Sequence, residues 1–153
     1  MSLGINNICS AGGILRDQDG FFLAGFNQHL GSSTVLHSVL WSVLDGLKLA
    51  WHRGYRHLLL QLDSMEAFEM VASATHDSPI SLIRSIFDLL NSDWRMNLKL
   101  ILCEANMAAD FLAKVNGVPG GDLKIYDNCP TELLGILSRD VLRPPYIHLC
   151  NLA

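Results

Sequence analysis

The stretch "HLLLQLDSMEA", residues 57–67, decides how this chain folds. It is a short apolar run without alternation, which suits a central strand covered on both faces. It stops abruptly on Asp63, and helical spacing begins at once in "SMEAFEMVAS", residues 64–73. A buried strand that closes on a carboxylate and passes into a helix is the repeating element of a layered α/β protein. Asp63 then has two readings. With Glu66 it forms Asp-x-x-Glu, a capping-box pattern in which the side chain accepts backbone N–H groups at the helix start. Alternatively, it is an oxygen ligand for a hard cation.

Upstream, "AGGILRDQDGFFLAGFNQ", residues 11–28, places two β-prone runs around "DQDG", whose acids and final glycine suit a tight reversal. From Thr34 to Arg53, apolar residues Leu36, Leu40, Val43, Leu44, Leu47 and Trp51 recur at three- and four-residue steps, the pattern of a long amphipathic helix. Ser32 or Ser33 is placed to cap its start and Gly54 to stop it. Downstream, "PISLIRSIFDLLNSD" (79–93) carries helical spacing with Pro79 in its first turn. "RMNLKLILC" (95–103) alternates and then turns apolar, as a strand does, and "ANMAADFLAKV" (105–115) is helical again, ended by Gly117. The order is strand, strand, helix, strand, helix, helix, strand, helix, which implies an α/β fold with helices packed on a mixed sheet. Residues 1–117 are read as one domain. Residues 118–153, with "PGG", "CP" and "RPP", are read as a loop-rich extension packing on it, with one helix around Glu132 to Leu137.

Composition narrows the function. The 153 residues are 50% hydrophobic and only 17% charged, which excludes a disordered chain. A formal net charge of -4 with 11 Lys and Arg argues against strong non-specific nucleic-acid binding, which needs clustered cations to neutralise phosphates. Residues 21–44 lack charges, yet Asn27, Gln28, His29, Gly31, Ser32 and Ser33 interrupt them, so no bilayer span is expected. "MSLGINNICS" has neither the basic start nor the apolar block of a secretory signal, so the expected location is intracellular, nuclear or cytoplasmic. The cysteines at 9, 103, 129 and 150 have no metal-site spacing and read as core thiols. The six histidines show no site-building spacing, and Trp41, Trp51 and Trp94 lie within apolar patterns rather than among cations. "HRGYRH", residues 52–57, is a small basic cluster at a helix end.

Three segments, "AGGILRDQDGFFLAGF", "LWSVLDGLKLAWHRGYRHLLLQLDSMEA" and "CEANMAADFLAK", together resemble the RNase H type-1 domains widespread in plants, relatives of the RNase H domain of retroelement reverse transcriptases. The likeness covers about residues 11–145. It implies an RNase H-like three-layer fold, with a mixed five-stranded sheet flanked by helices. It also implies hydrolysis of the RNA strand of an RNA–DNA hybrid by two Mg²⁺ ions, with Mn²⁺ as a substitute. Two such ions roughly 3.5 to 4 Å apart need several carboxylates to offset their charge and complete their oxygen shells.

The family's four acids stand on the first strand, on the long helix, at the end of the next central strand, and at the start of the last helix. By resemblance, Asp63 is the third and Asp110 the fourth, and these two are the candidate catalytic and metal-binding residues. The second position holds Val39, in an apolar stripe with Val35 and Val43. His37 and Asp45 lie two and six residues away, turned from it by roughly 200° and 240°. The first acid has no counterpart, because no Asp or Glu precedes Asp17 and the first strand is truncated or altered. Where the family commonly has a His and an Arg stand Leu100 and Cys103, although Glu104 and Asn106 match.

Two carboxylates offset half the charge of two Mg²⁺ ions, so metal is expected to bind weakly if at all and cleavage to be absent or severely reduced. The expected partner is an RNA–DNA hybrid or other nucleic acid, weakly held. The alternative is a non-catalytic protein- or nucleic-acid-interaction module derived from an RNase H domain, with an exposed sheet edge as the surface for a protein partner.

Overall fold

The computed structural model describes residues 8–101, 111–112, 123–139 and 147–151. Its hairpin forms where the acids and glycine of "DQDG" require it. Strands β1 (Ile8–Arg16) and β2 (Phe22–Ser32) pair antiparallel. Between them the Asp17 carboxylate accepts from the backbone N–H groups of Asp19 and Phe21, each at 2.9 Å. Gly20 takes φ 88°, a left-handed conformation that costs glycine nothing.

Helix α1 (Val35–His52) begins at Thr34, whose hydroxyl accepts from the N–H of His37 at 3.1 Å. The cap is therefore neither Ser32 nor Ser33. Ser32 is the last residue of β2, which runs four residues beyond the apolar stretch that announces it. At the other end Gly54 (φ 86°) is the stop its position predicts. Its N–H donates to Trp51 C=O and that of Tyr55 to Ala50 C=O, the paired bonds that satisfy a helix C-terminus. One face of α1 buries Val39, Leu40, Val43, Leu44, Leu47 and Ala50. A second contact is polar: Ser42 Oγ accepts from the N–H of Gly12 at 3.0 Å and donates to Ser38 C=O, fastening the helix to β1.

The chain continues through β3 (His57–Leu62), α2 (Met65–Ala72), α3 (Ser81–Leu90), β4 (Arg95–Leu100), β5 (Lys124–Tyr126), α4 (Thr131–Arg139) and β6 (Ile147–Asn151). Pro79 precedes the N-cap of α3, Ile80, and lies outside the first turn expected to hold it. The sheet order is β4-β3-β6-β1-β2-β5. β3 runs parallel to both β4 and β6, while β1 is antiparallel to both β2 and β6.

Alternation across the strands builds two cores. Leu15, Leu58, Leu60 and Leu62 join α1, α2 and α3 on one face. Ile14, on the opposite face of β1, packs with Leu112 and Leu133 and is flanked by Phe22, Phe111, Tyr126 and Ile136. Fully burying one such Leu or Ile contributes roughly 1.5–3 kcal/mol. Helical residues lie on each side of one mixed sheet, so the expected RNase H-like class holds. β4 is an edge, with Arg95, Asn97 and Lys99 exposed at alternate positions, a charged pattern that discourages further pairing.

The expectation of a loop-rich stretch over 118–153 is corrected in part. Its helix is present as α4, but the segment also supplies β5, and β6 stands in the middle of the sheet. The described residues thus form six strands rather than five. A three-residue strand and a five-residue strand beside two prolines carry too little pattern to announce themselves. Their pairing partners on β1, β2 and β3 specify them.

Candidate metal centre at the end of β3

Leu62 is fully buried, and the chain turns at Asp63 into α2. The N-cap of α2 is Ser64, whose Oγ accepts from the N–H of Ala67 at 3.2 Å. The Asp63-x-x-Glu66 capping box is therefore not how this helix starts. That leaves Asp63 half-buried at the carboxyl end of a central strand, with Oδ2 shielded from solvent. In open α/β sheets, this end of the strands is where ligands are bound.

Asp110, the other sequence-predicted ligand, lies outside the described residues, as do Cys103, Glu104 and Asn106. Its near neighbour Leu112 is described and firmly held. Leu112 is fully buried, and its carbonyl oxygen accepts from Asn27 Nδ2 at 2.9 Å. The sheet makes room for it at Gly25, where a Cβ would run into Leu112 Cδ2. Asn27 is the residue the sequence reading passed over. Its clue is a polar side chain next to Phe26 in an apolar strand, buried to 2% exposure. β1 and β6 separate β2 from β3, so roughly 14 Å of sheet lies between Asn27 and Asp63 at ~4.8 Å per strand.

Where the resemblance places the second acid, the side chain is packed in the core. Val39 has no exposed surface and belongs to the main core. His37 is exposed at the first turn of α1, its Nδ1 3.4 Å from Ser33 Oγ. Asp45 is buried at 6% exposure on α1, and its Oδ2 accepts no hydrogen bond among the described residues. Burial pushes its carboxyl up to about 6, against the opposing influence of nearby Lys48. Among the described residues, no group of three or more His, Cys, Asp or Glu side chains could hold a metal ion. The donors described here do not fit a pair of Mg²⁺ ions.

The remaining candidates are structural. Arg56 stacks on the Trp51 ring at 3.6 Å and donates to the carbonyls of Trp51 and Tyr55, while Trp94 meets Trp51 edge-on at 5.1 Å. Arg53 pairs with Asp127. The basic cluster is thus tied down rather than simply solvated. Cys9 is buried and its thiol donates to Ser33 C=O, whereas burial pushes the Cys129 thiol above its usual range, away from the reactive thiolate. No helix among the described residues is long and apolar enough to cross a membrane.

The family model described as reverse transcriptase-like matches residues 5–116, most of the chain. The chain belongs to this family. Its RNase H-like character agrees with the mixed sheet and flanking helices. A protein of Arabidopsis thaliana named as a candidate ribonuclease H protein is 31% identical over 153 residues, covering 97% of this chain. The chain spans 25% of that relative's length. No solved structure matches it.

Proposed function

We propose that this chain is an RNase H-like nucleic-acid-binding domain in which cleavage of the RNA strand of an RNA–DNA hybrid is absent or severely reduced. The observation that carries this reading is Val39. A fully buried valine occupies the helix position where the resemblance calls for a metal-binding carboxylate, and a valine offers a hard cation no donor. Asp63 remains at the strand end, and Asp110 is proposed as its partner. Together they supply at most one weakly held Mg²⁺ or Mn²⁺. Two carboxylates leave half of a two-ion charge uncompensated, and the attacking and leaving oxygens need both ions in register. The acidic overall charge fits weak hybrid contact rather than tight, salt-driven association.

The test is incubation of a labelled RNA–DNA duplex with the chain in Mg²⁺ or Mn²⁺, alongside Val39→Glu and Asp63→Asn, with hybrid binding followed by fluorescence anisotropy. Binding that weakens with salt, with no cutting by any of the three proteins, is the expected result. Robust cutting by the unmodified chain, abolished in Asp63→Asn, overturns the inactive reading.

A further inference from the structure

We propose that Arg95, Asn97 and Lys99 form a track on edge strand β4 that holds the phosphate backbone of a nucleic-acid strand and leads it toward Asp63, an inference that rests on the nucleic-acid-binding reading above. The three side chains are exposed, while Met96 and Leu98 between them pack against the main core. Alternation therefore sets Arg95, Asn97 and Lys99 on one face of the sheet. Residues two apart on a strand stand ~6.6 Å apart, so the three donors recur at that step over roughly 13 Å. The register with β3 puts His57 beside Arg95, Leu59 beside Asn97 and Gln61 beside Lys99. Asp63 lies two residues beyond Gln61, so by sheet spacing Lys99 stands about 8 Å from it, Cα to Cα.

What separates these two cations from the others is the lack of a use within the chain. Arg53 pairs with Asp127, Arg56 stacks on Trp51 and Arg84 donates to Ser78 C=O at 2.8 Å. Lys124 sits over the Tyr126 ring at 5.7 Å, Lys48 lies near enough to Asp45 to act on its charge, and Arg16 is buried at 3% exposure. Among the described residues, the side chains of Arg95 and Lys99 share in no ion pair and no ring contact. Neither β3 nor β4 contains an acid. Charge of either sign guards a sheet edge against pairing, whereas here the sign is uniform.

A row of like charges with a neutral amide between them fits a polyanion. The guanidinium of Arg95 offers a planar fork of N–H donors to phosphate oxygens, Lys99 a compact charge, and Asn97 an amide donor. The net charge of -4 repels a polyanion overall, so the attraction has to be local. Asp63 repels approaching phosphates as well, and Lys99, its neighbour across the sheet, offsets that repulsion. The track ends at the carboxyl end of β3, where the candidate centre lies, which favours a nucleic-acid strand over an acidic peptide as its occupant. Two cationic contacts make the association weak and salt-sensitive, with a loss of about tenfold in affinity between ~50 and ~200 mM salt.

The test is fluorescence anisotropy of a labelled RNA–DNA hybrid titrated with the full chain over a range of salt. Three variants run beside it: Arg95→Gln/Lys99→Gln, the charge-keeping Arg95→Lys/Lys99→Arg, and Lys124→Gln on β5, the opposite edge of the sheet. The double Gln variant is expected to lose about 1.4–1.8 from the slope of log affinity against log salt, and the other two to retain the slope. An unchanged slope in the double Gln variant, or an equal loss in Lys124→Gln, overturns this inference and leaves the proposed function standing. No binding by the unmodified chain overturns both. Tighter binding of a poly-glutamate peptide than of the hybrid assigns the track to an acidic protein partner and overturns it as well. Lysine acetylation of the unmodified chain, followed by mass spectrometry, reads the contact without any substitution. Hybrid should protect Lys99 and not Lys124, and equal labelling of Lys99 with and without hybrid overturns the proposal.

Discussion

Asn27 on β2 donates its side-chain amide to the carbonyl oxygen of Leu112 at 2.9 Å, joining positions far apart in sequence across the second core. Both residues are buried, so removing the donor leaves a carbonyl without its partner. Asn27→Leu is expected to lower stability by about 1–3 kcal/mol in urea unfolding. Gly25→Ala should act at the same place by crowding Leu112 and the Phe22 ring, costing about 1–3 kcal/mol. Because they share Leu112 the two losses should not add, and strict additivity in the double variant would contradict a shared site.

Asp45 makes stability depend on pH in an unusual direction. Its carboxyl rises from 3.8 to about 6 on folding, so the folded state prefers the protonated form. The penalty for ionising it is absent below the unfolded value, grows as pH rises, and is complete above the folded one, reaching roughly 3 kcal/mol. Asp45→Asn should therefore stabilise the chain near neutrality and remove a loss that the unmodified protein suffers between about pH 4 and about pH 6. Unfolding free energies with parallel pH slopes for the two proteins would rule this out.

Ser64 rather than Asp63 caps α2, and single substitutions separate the two roles. Ser64→Ala should cost about 1 kcal/mol through loss of the bond to Ala67 N–H. Asp63→Asn leaves that bond in place and should weaken any Mn²⁺ binding measured by calorimetry. Unchanged thermal stability in Ser64→Ala would take the cap away from Ser64.

Val39→Glu places a carboxylate in the main core, where an uncompensated charge costs about 3 kcal/mol or more. A large fall in Tm without a gain in hybrid cleavage is expected. A gain in cleavage at unchanged Tm would show that the position faces a polar, metal-accessible space.

The two arginines past the end of α1 should respond differently to substitution. Arg56 covers Trp51 and bonds two carbonyls, so Arg56→Ala is expected to cost about 1 kcal/mol and to alter tryptophan fluorescence. Arg53 and Asp127 pair at the surface, their side chains 37% and 69% exposed. Asp127→Asn should change stability by less than about 1 kcal/mol, an effect that vanishes in salt.

Much of this fold was legible in the sequence because local chemistry and tertiary packing agree there. "DQDG" makes the turn, Gly54 ends α1, the leucines of 58–62 form a buried strand, and the valine at 39 is core. The failures occur where a partner decides. Ser32 is a good capping residue, but strand pairing with β1 absorbs it and passes the cap to Thr34. Asp63 and Glu66 satisfy the capping-box pattern, yet the chain turns one residue later. Asn27 shows no period, because its importance lies in a carbonyl distant in sequence. Of the candidate centre, what spacing made legible is position: Asp63 directly after a buried strand and Val39 in the core. Asp110 lies outside the described residues.

The strand order also bears on the chain's life during synthesis. When a ribosome has produced everything up to α4, the strand that joins β3 to β1 has yet to be made. Protein severed before position 147 would therefore display two parallel rows of amides and carbonyls ready to recruit any extended segment nearby, and so should be sticky, protease-sensitive and quickly cleared.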